Sequence, residues 1–108
     1  MSYSETLVQQ VWEKARAYAE IDSGTWREDE CGAWIRREEY GRTDSEFGWK
    51  IVNVSGGGPD TPDNLRPLHC LNGYDIANRR HIRHMAADRI SMPVFEHNFE
   101  PRNRKVSS

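Results

Sequence analysis

The segment between residues 48 and 71 constrains the fold of this 108-residue chain more than any other part. Residues 48 to 54 alternate apolar and polar side chains, as expected of a half-buried strand. Residues 55 to 63 contain three glycines and two prolines, a composition that breaks regular structure. A second apolar stretch follows over residues 65 to 71. Two strands joined by a glycine-rich loop predict a two-stranded antiparallel ribbon.

Amphipathic periodicity predicts one helix on each side of this ribbon. Over residues 4 to 20, apolar side chains recur every three or four positions, with Ser2 or Ser4 as the N-cap. Residues 74 to 90 form a second candidate helix, with Asn72 as its cap. Its apolar stripe consists of Ile82, Met85, Ala86 and Ile90. The pattern therefore predicts an α+β fold, with a single domain over residues 1–100 and a mobile basic tail over residues 101–108.

Composition excludes several classes of protein. No apolar run approaches the roughly 18 residues of a membrane span, and the N-terminus lacks the features of a secretory signal, so we expect a cytoplasmic protein. Cys31 and Cys70 are too few for a disulfide framework. The net charge of -2 divides unevenly, with -5 over residues 1–73 and +3 from residue 74 onward. A basic bias typical of nucleic-acid binding is therefore confined to the C-terminal part.

Several short sequence motifs occur in a defined order along the chain. They are Trp26-Arg27-x-Asp29-x-Cys31-Gly32-Ala33-Trp34-Ile35, Tyr40-Gly41, Gly48-Trp49-Lys50-Ile51, Gly56-Gly57-Gly58 and Asn64-Leu65-Arg66-Pro67-Leu68-His69. This order resembles the ββα-metal core of HNH endonucleases. The resemblance implies a degenerate HNH arrangement of N-terminal helix, two-stranded antiparallel ribbon and C-terminal helix. Asn64 matches the structural Asn of the family, whose side chain braces the loop.

The catalytic positions of the family are altered in this chain. An HNH endonuclease uses an Asp and a third His or Asn to hold one divalent metal, and a His to deprotonate water. The corresponding positions here are Val52, Asn53 and Gly73. Val52 cannot ligate a metal, the amide of Asn53 is not a base near neutral pH, and Gly73 has no side chain. The resemblance therefore implies no metal, no cofactor and no enzymatic activity.

Two charged sets are candidate binding residues. The acidic set, expected to meet a basic surface on a protein partner, is Glu28, Asp29, Glu30, Glu38, Glu39, Asp44 and Glu46. The basic set, expected on the second helix to grip nucleic acid or a partner, is Arg79, Arg80 and Arg83, with Arg89 beyond them. An ordinary solvated face is the alternative for each set. His81 with His84, and His69 with Cys70 and Cys31, are alternative metal ligands, although plain structural positions explain them more simply.

The predicted function is that of a catalytically inactive binding protein. HNH-like genes are common on phages and mobile elements, so the resemblance favours an inhibitor of a bacterial nucleic-acid defence complex, of the anti-CRISPR type. Such a chain would bind a protein complex in the host cytoplasm, mimic DNA through its acidic set, and be a monomer or homodimer. One alternative is a DNA-binding HNH-like protein with residual or no cleavage. Another is a subunit of a larger packaging or nuclease assembly.

Overall fold

The computed structural model describes residues 3–88 and 101–106. In these ranges, one helix and eight strands form in the order α1 (Glu5–Trp12), β1 (Trp26–Glu28), β2 (Trp34–Arg36), β3 (Trp49–Asn53), β4 (Leu65–His69), β5 (Gly73–Asp75), β6 (Arg80–Ile82), β7 (Met85–Ala87) and β8 (Asn103–Lys105). Short 3-10 turns occupy Arg37–Glu39 and Pro62–Asn64. The strands pair in sequence order as four antiparallel two-stranded sheets. No helix in the described ranges has the length and apolar character that a membrane span requires.

The N-terminal helix α1 is shorter than the predicted helix over residues 4 to 20. It begins after Ser4, whose Oγ accepts a hydrogen bond from Leu7 N at 3.1 Å. It ends at Trp12 because the chain then pairs with β1. Arg16 N donates to Glu28 O at 2.8 Å, and Glu28 N donates to Arg16 O at 2.9 Å. This bridge replaces about two turns of the predicted helix.

The apolar core lies between α1 and the β3–β4 ribbon. Trp12 and Trp49 are fully buried, with ring centroids 5.3 Å apart, and Tyr40 lies 4.8 Å from Trp49 on ring centroids. Smaller buried side chains complete the cluster: Val8, Val11, Ala15, Ile35 and Leu65. Large aromatic side chains supply much apolar area, which suits a short chain with little room for a core.

The ribbon forms where the sequence predicts it. Strands β3 and β4 pair in a register that sets Trp49 opposite His69, Ile51 opposite Pro67 and Asn53 opposite Leu65. The glycine-rich loop between them includes Gly56 and Gly57, with φ of +75° and +125°. These angles lie in the region that glycine adopts readily and other residues rarely.

The predicted C-terminal helix is wrong, and with it the predicted α+β arrangement of helix, ribbon and helix. Residues 73 to 82 form a hairpin, β5–β6, and Met85–Ala87 form strand β7. Asp75 starts the turn, because its carboxylate accepts hydrogen bonds from Asn78 N at 3.3 Å and Asn78 Nδ2 at 2.7 Å. Arg79 then adopts φ of +53°, which a helix does not allow. Residues 89 and 90 of the predicted helix lie outside the described residues.

Within residues 101–106, the described part of the segment expected to be a tail, the chain forms a strand. Asn103–Lys105 form β8, which pairs with Met85–Ala87. The Asn103 side chain ties β8 to β2: its Oδ1 accepts from Trp34 N at 2.7 Å, and its Nδ2 donates to Trp34 O at 2.9 Å. These bonds satisfy backbone groups of β2 and fix the position of β8.

Two buried polar side chains join three of the sheets. The carboxylate of Asp29, 3% exposed, accepts from Cys31 N and Ala33 N through Oδ1, and from His69 N and Asn72 Nδ2 through Oδ2, at 2.8 to 3.0 Å. Asn72, 1% exposed, also donates to Met85 O at 3.0 Å.

The Asn72 Oδ1 atom completes the network. It accepts from His84 N and Met85 N, each at 2.8 Å. The β1–β2 turn, the end of β4 and the start of β7 are thereby held by two side chains, which we call the Asp29–Asn72 network. Buried polar groups are tolerated only when hydrogen-bonded, and here the partners belong to different sheets.

We expect Asn72→Ala to lower the free energy of unfolding by about 3 kcal/mol, because it removes one of the four hydrogen bonds to the buried Asp29 carboxylate and the side-chain acceptor of His84 N and Met85 N. Urea unfolding followed by tryptophan fluorescence measures the change. Asn78→Ala is the matched control, since Asn78 is exposed and also donates to a carboxylate. Equal, small losses in the two variants would contradict a central role for Asn72.

Candidate functional site

The three positions that would carry catalysis in an HNH endonuclease lie on strands. Val52 and Asn53 end β3, where Val52 is paired with Arg66 of β4. Gly73 begins β5 and is paired with Ile82. The third position therefore lies in a hairpin, whereas the resemblance implies the start of a helix. Neither Val52 nor Gly73 offers an atom that could ligate a metal.

The Asn53 side chain braces the glycine-rich loop. Its Nδ2 lies 3.0 Å from Gly58 O, 3.3 Å from Pro59 O and 2.9 Å from Asp60 Oδ1. Its Oδ1 accepts from Ser55 N at 2.9 Å and from Ser55 Oγ at 2.5 Å. Both ends of the amide are thus used within the loop, in an arrangement that closes an Asx turn.

Asn64 contacts the same loop from its far end. Its Nδ2 donates to Pro59 O at 3.0 Å. A Cβ at Gly58 would lie 2.9 Å from that nitrogen and 2.7 Å from Ser55 Oγ, so the loop packs closely against Asn64. The loop therefore has a defined shape that depends on amide side chains at both ends.

The candidate metal ligands have other partners. Among the described residues, no group of three or more His, Cys, Asp and Glu side chains is placed to hold a metal ion. His69 is buried: its Nδ1 accepts from Leu71 N at 3.0 Å, so its Nε2 carries the proton and donates to Glu46 O at 2.6 Å. Burial raises the pKa of the Cys31 thiol to about 12. Near neutral pH the side chain is therefore a thiol, whereas a metal is bound by the thiolate.

The other candidate pair of ligands, His81 and His84, does not lie on a helix face. His81 lies on β6, and its Nε2 is 2.7 Å from Glu30 Oε1. His84 follows β6, and its backbone N donates to Asn72. The spacing of three residues therefore does not bring them together in the way that a helix would.

Some carboxylates of the acidic set are buried, and others are paired with basic side chains of the same chain. Glu28 and Asp29 are buried. Glu30 lies 2.6 Å from Arg66 Nη1 and 2.7 Å from His81 Nε2, and these two hydrogen bonds hold its pKa below the ordinary value although burial opposes them. These three carboxylates serve internal contacts.

The other four acidic residues lie on the segment from residue 38 to 46. Glu46 accepts from Asn103 N at 2.7 Å, and Glu39 accepts from Ser45 Oγ at 2.6 Å. Glu38 and Asp44 are exposed, and they pair with Arg36 and Arg42, respectively. The acidic set therefore does not form one open anionic face.

The basic set lies on the β5–β6 hairpin and just after it. Arg79 and Arg80 are exposed, and Arg80 Nε lies 3.9 Å from Asp75 Oδ2. The side chain of Arg83 turns back, and its Nε donates to Cys31 O at 3.0 Å. Arg89 lies outside the described residues. The hairpin thus displays two of the predicted arginines to solvent.

Sequence reasoning missed the roles of Asn72 and Asn103. Asn72 is a plausible helix cap in the sequence, but its side chain supports strand β7. The partners of the Asn72 side chain lie 12 to 43 positions away, so no local pattern indicates them. Nothing in the sequence indicates that Asn103 pairs with Trp34, 69 positions away.

Burial lowers the pKa of His69 below its ordinary value of 6.5, although its hydrogen bond to Glu46 O acts in the opposite direction. The unfolded chain therefore takes up a proton that the folded chain resists. We expect the free energy of unfolding to be highest above pH 6.5 and to decrease as the pH falls from 6.5 through the folded-state pKa.

Urea unfolding between pH 5 and 8 tests this expectation. His69→Gln, whose amide can still donate to Glu46 O, should flatten the dependence. His84→Gln, at an exposed position, is the control and should leave it unchanged. A dependence that survives in His69→Gln would assign the titration to another group.

No family model matches the chain, and neither a curated protein nor a solved structure matches it significantly. The HNH resemblance therefore stays a prediction from the motif residues. Any function assigned to the chain depends on the side-chain geometry described above.

Proposed function

We propose that this chain is a non-catalytic binding protein. The proposal rests on the hydrogen bonding of Asn53, which stands at the position where an HNH endonuclease has its general base. The amide is hydrogen-bonded at both ends to its own loop, and an amide does not accept a proton near neutral pH. Val52 and Gly73 add no ligand atom nearby. A braced loop of fixed shape suits recognition better than hydrolysis.

The role that we propose is inhibition of a bacterial nucleic-acid defence complex by protein–protein contact. Its support is the resemblance to HNH endonucleases of phages and mobile elements, combined with an ordered ribbon and loop in which catalytic residues are replaced. Imitation of DNA by the acidic set does not carry this proposal. Six of its seven members are buried or hydrogen-bonded within the chain.

We expect the tagged chain to enrich subunits of a defence complex from lysates of bacteria that carry one, with the tag alone as control. Quantitative mass spectrometry measures the enrichment. In parallel, the chain should leave supercoiled plasmid uncut with Mg²⁺, Mn²⁺ or Ni²⁺. Nicking that Asn53→Ala abolishes would contradict a non-catalytic protein. Capture of no defence subunit would remove the inhibitor role.

A second candidate function is nucleic-acid binding without cleavage. The exposed position of Arg79 and Arg80 on the β5–β6 hairpin favours it, because exposed arginines contact phosphates well. Asp75 lowers the local positive charge and lies close to Arg80. Such binding would depend mainly on electrostatic attraction.

A gel-shift titration distinguishes the two functions. For the inhibitor, we expect no retardation of duplex or single-stranded DNA at about 150 mM salt. For the second candidate, two phosphate contacts predict an affinity that falls about tenfold between 50 and 200 mM salt. Arg79→Ala/Arg80→Ala should abolish that binding, while Arg42→Ala, at another exposed arginine, should not.

A further inference from the structure

Asn72 is followed by Gly73, and this is the one Asn-Gly pair in the sequence. In a flexible chain such a pair is chemically labile, because the backbone N of the glycine can attack the side-chain Cγ of the asparagine. Glycine has no Cβ to hinder this approach. The other asparagines precede Val, Leu, Arg or Phe, whose side chains do hinder it. The most labile amide of the sequence therefore lies in the Asp29–Asn72 network.

The folded state protects this amide from the reaction. The Nδ2 atom of Asn72 donates to Asp29 Oδ2 and to Met85 O, each at 3.0 Å, and Oδ1 accepts from His84 N and Met85 N. The residue is 1% exposed. Departure of Nδ2 as ammonia and entry of water both require these hydrogen bonds to break. The reaction therefore belongs to the chain in which the network has opened.

The fold requires the asparagine of the pair but not the glycine. Nδ2 of Asn72 donates to two acceptors, which a carboxylate cannot do. At Gly73, by contrast, a Cβ would lie 3.9 Å from Ile82 Cβ and Cδ1, an ordinary van der Waals distance. The φ angle of Gly73 also lies outside the left-handed region that favours glycine. Alanine at position 73 would therefore remove the lability and leave the network in place.

Conversion of Asn72 to an acid would break the network. A carboxylate oxygen would take the place of Nδ2, 3.0 Å from both Asp29 Oδ2 and Met85 O. Two buried carboxylates at such a distance cannot both be ionised without a large energetic cost. The carbonyl of Met85 would also lose a donor and face an acceptor. If isoaspartate forms, it adds one carbon atom to the main chain directly before β5.

We propose that Asn72 is a site of spontaneous deamidation that the folded state protects, so that opening of the network makes unfolding irreversible. Gly73 N loses its proton to solvent and forms a bond to Asn72 Cγ. The Cγ–Nδ2 bond breaks, and Nδ2 takes up protons from solvent and leaves as ammonia. Chemical modification of the open chain then competes with refolding. This inference is independent of the proposed function.

The product of this first step is a succinimide ring, and water opens it. Water adds to one of the two ring carbonyl carbons, the bond from that carbon to Gly73 N breaks, and the nitrogen regains a proton. Opening at Cγ gives aspartate, and opening at the backbone carbon of residue 72 gives isoaspartate. The co-reactant is water, and no group is oxidised or reduced.

The first test follows the chemistry in the full chain and in Gly73→Ala. Each is held at mildly alkaline pH with a thiol reductant, with and without guanidinium chloride, and peptide mass spectrometry measures amide-to-acid conversion at every asparagine. We expect Asn72 to convert roughly tenfold or more faster in the unfolded than in the folded chain. Unfolded Gly73→Ala should convert roughly tenfold or more slowly than the unfolded unmodified chain. Hydroxylamine, which cleaves a succinimide, should cut the unfolded unmodified chain after residue 72.

Two outcomes of this first test would overturn the proposal. One is conversion of Asn72 at equal rates in the folded and the unfolded chain, since the fold would then give no protection. The other is faster conversion of a different asparagine in the unfolded chain. Both measurements on the unfolded chain remain valid for a variant that folds poorly.

The second test measures refolding after the incubation in guanidinium chloride. We expect the fraction that recovers native tryptophan fluorescence on dilution to fall in step with conversion of Asn72. Gly73→Ala should keep its refoldable fraction. So should the unmodified chain incubated in denaturant at pH 5, because loss of the proton from Gly73 N is slow there. Full recovery of converted chains, with the urea midpoint of the unmodified chain, would overturn the link between deamidation and irreversible unfolding.

A variant reproduces the aspartate product directly. Asn72→Asp should unfold at a lower urea concentration than Asn72→Ala, because it adds a second carboxylate beside Asp29. Asn78→Asp is the matched control, since Asn78 is exposed and also donates to a carboxylate, and it should keep a midpoint above that of Asn72→Asp. An unchanged midpoint in Asn72→Asp would overturn the proposed consequence of the modification.

Discussion

Each sheet of this protein has only two strands, and a two-stranded sheet is marginal in water by itself. The sheets are held together by the Asp29–Asn72 network, in which one carboxylate and one amide satisfy backbone and side-chain groups of the β1–β2 turn, β4 and β7. Asn103 does the same for β8 and β2. The apolar cluster around Trp12 and Trp49 lies between α1 and the β3–β4 ribbon. Polar side chains therefore hold the sheets together, a role that the apolar core has in a larger protein.

The shape of the loop between β3 and β4 depends on two amide side chains. The Asn53 amide donates to Gly58 O, and the Asn64 amide donates to Pro59 O. The positions where an HNH endonuclease has its ligands and base thus hold a brace, an aliphatic side chain and a glycine.

Predictions from the sequence succeeded where local signals agreed and failed where distant partners decided. Gly48 to Leu71 carry strand alternation, a glycine-rich loop and a second strand, and the β3–β4 ribbon forms there. Residues 74 to 88 carry an apolar spacing that suits a helix, yet Asp75 and Asn78 form a turn and Asn72 binds the start of β7. Likewise, the acidic set looked continuous in the sequence, but Glu28 and Asp29 are buried by partners that the sequence does not place beside them.

The sequence by itself determined the β3–β4 ribbon and the cap and first turns of α1. These features depend on residue type and on neighbours within a few positions. Only the tertiary structure decided that residues 73 to 87 form three short strands with no helix, and that Asn72 and Asn103 join separate sheets. The physical reason is that short strands have little intrinsic preference, so hydrogen bonds from residues far along the chain select their conformation.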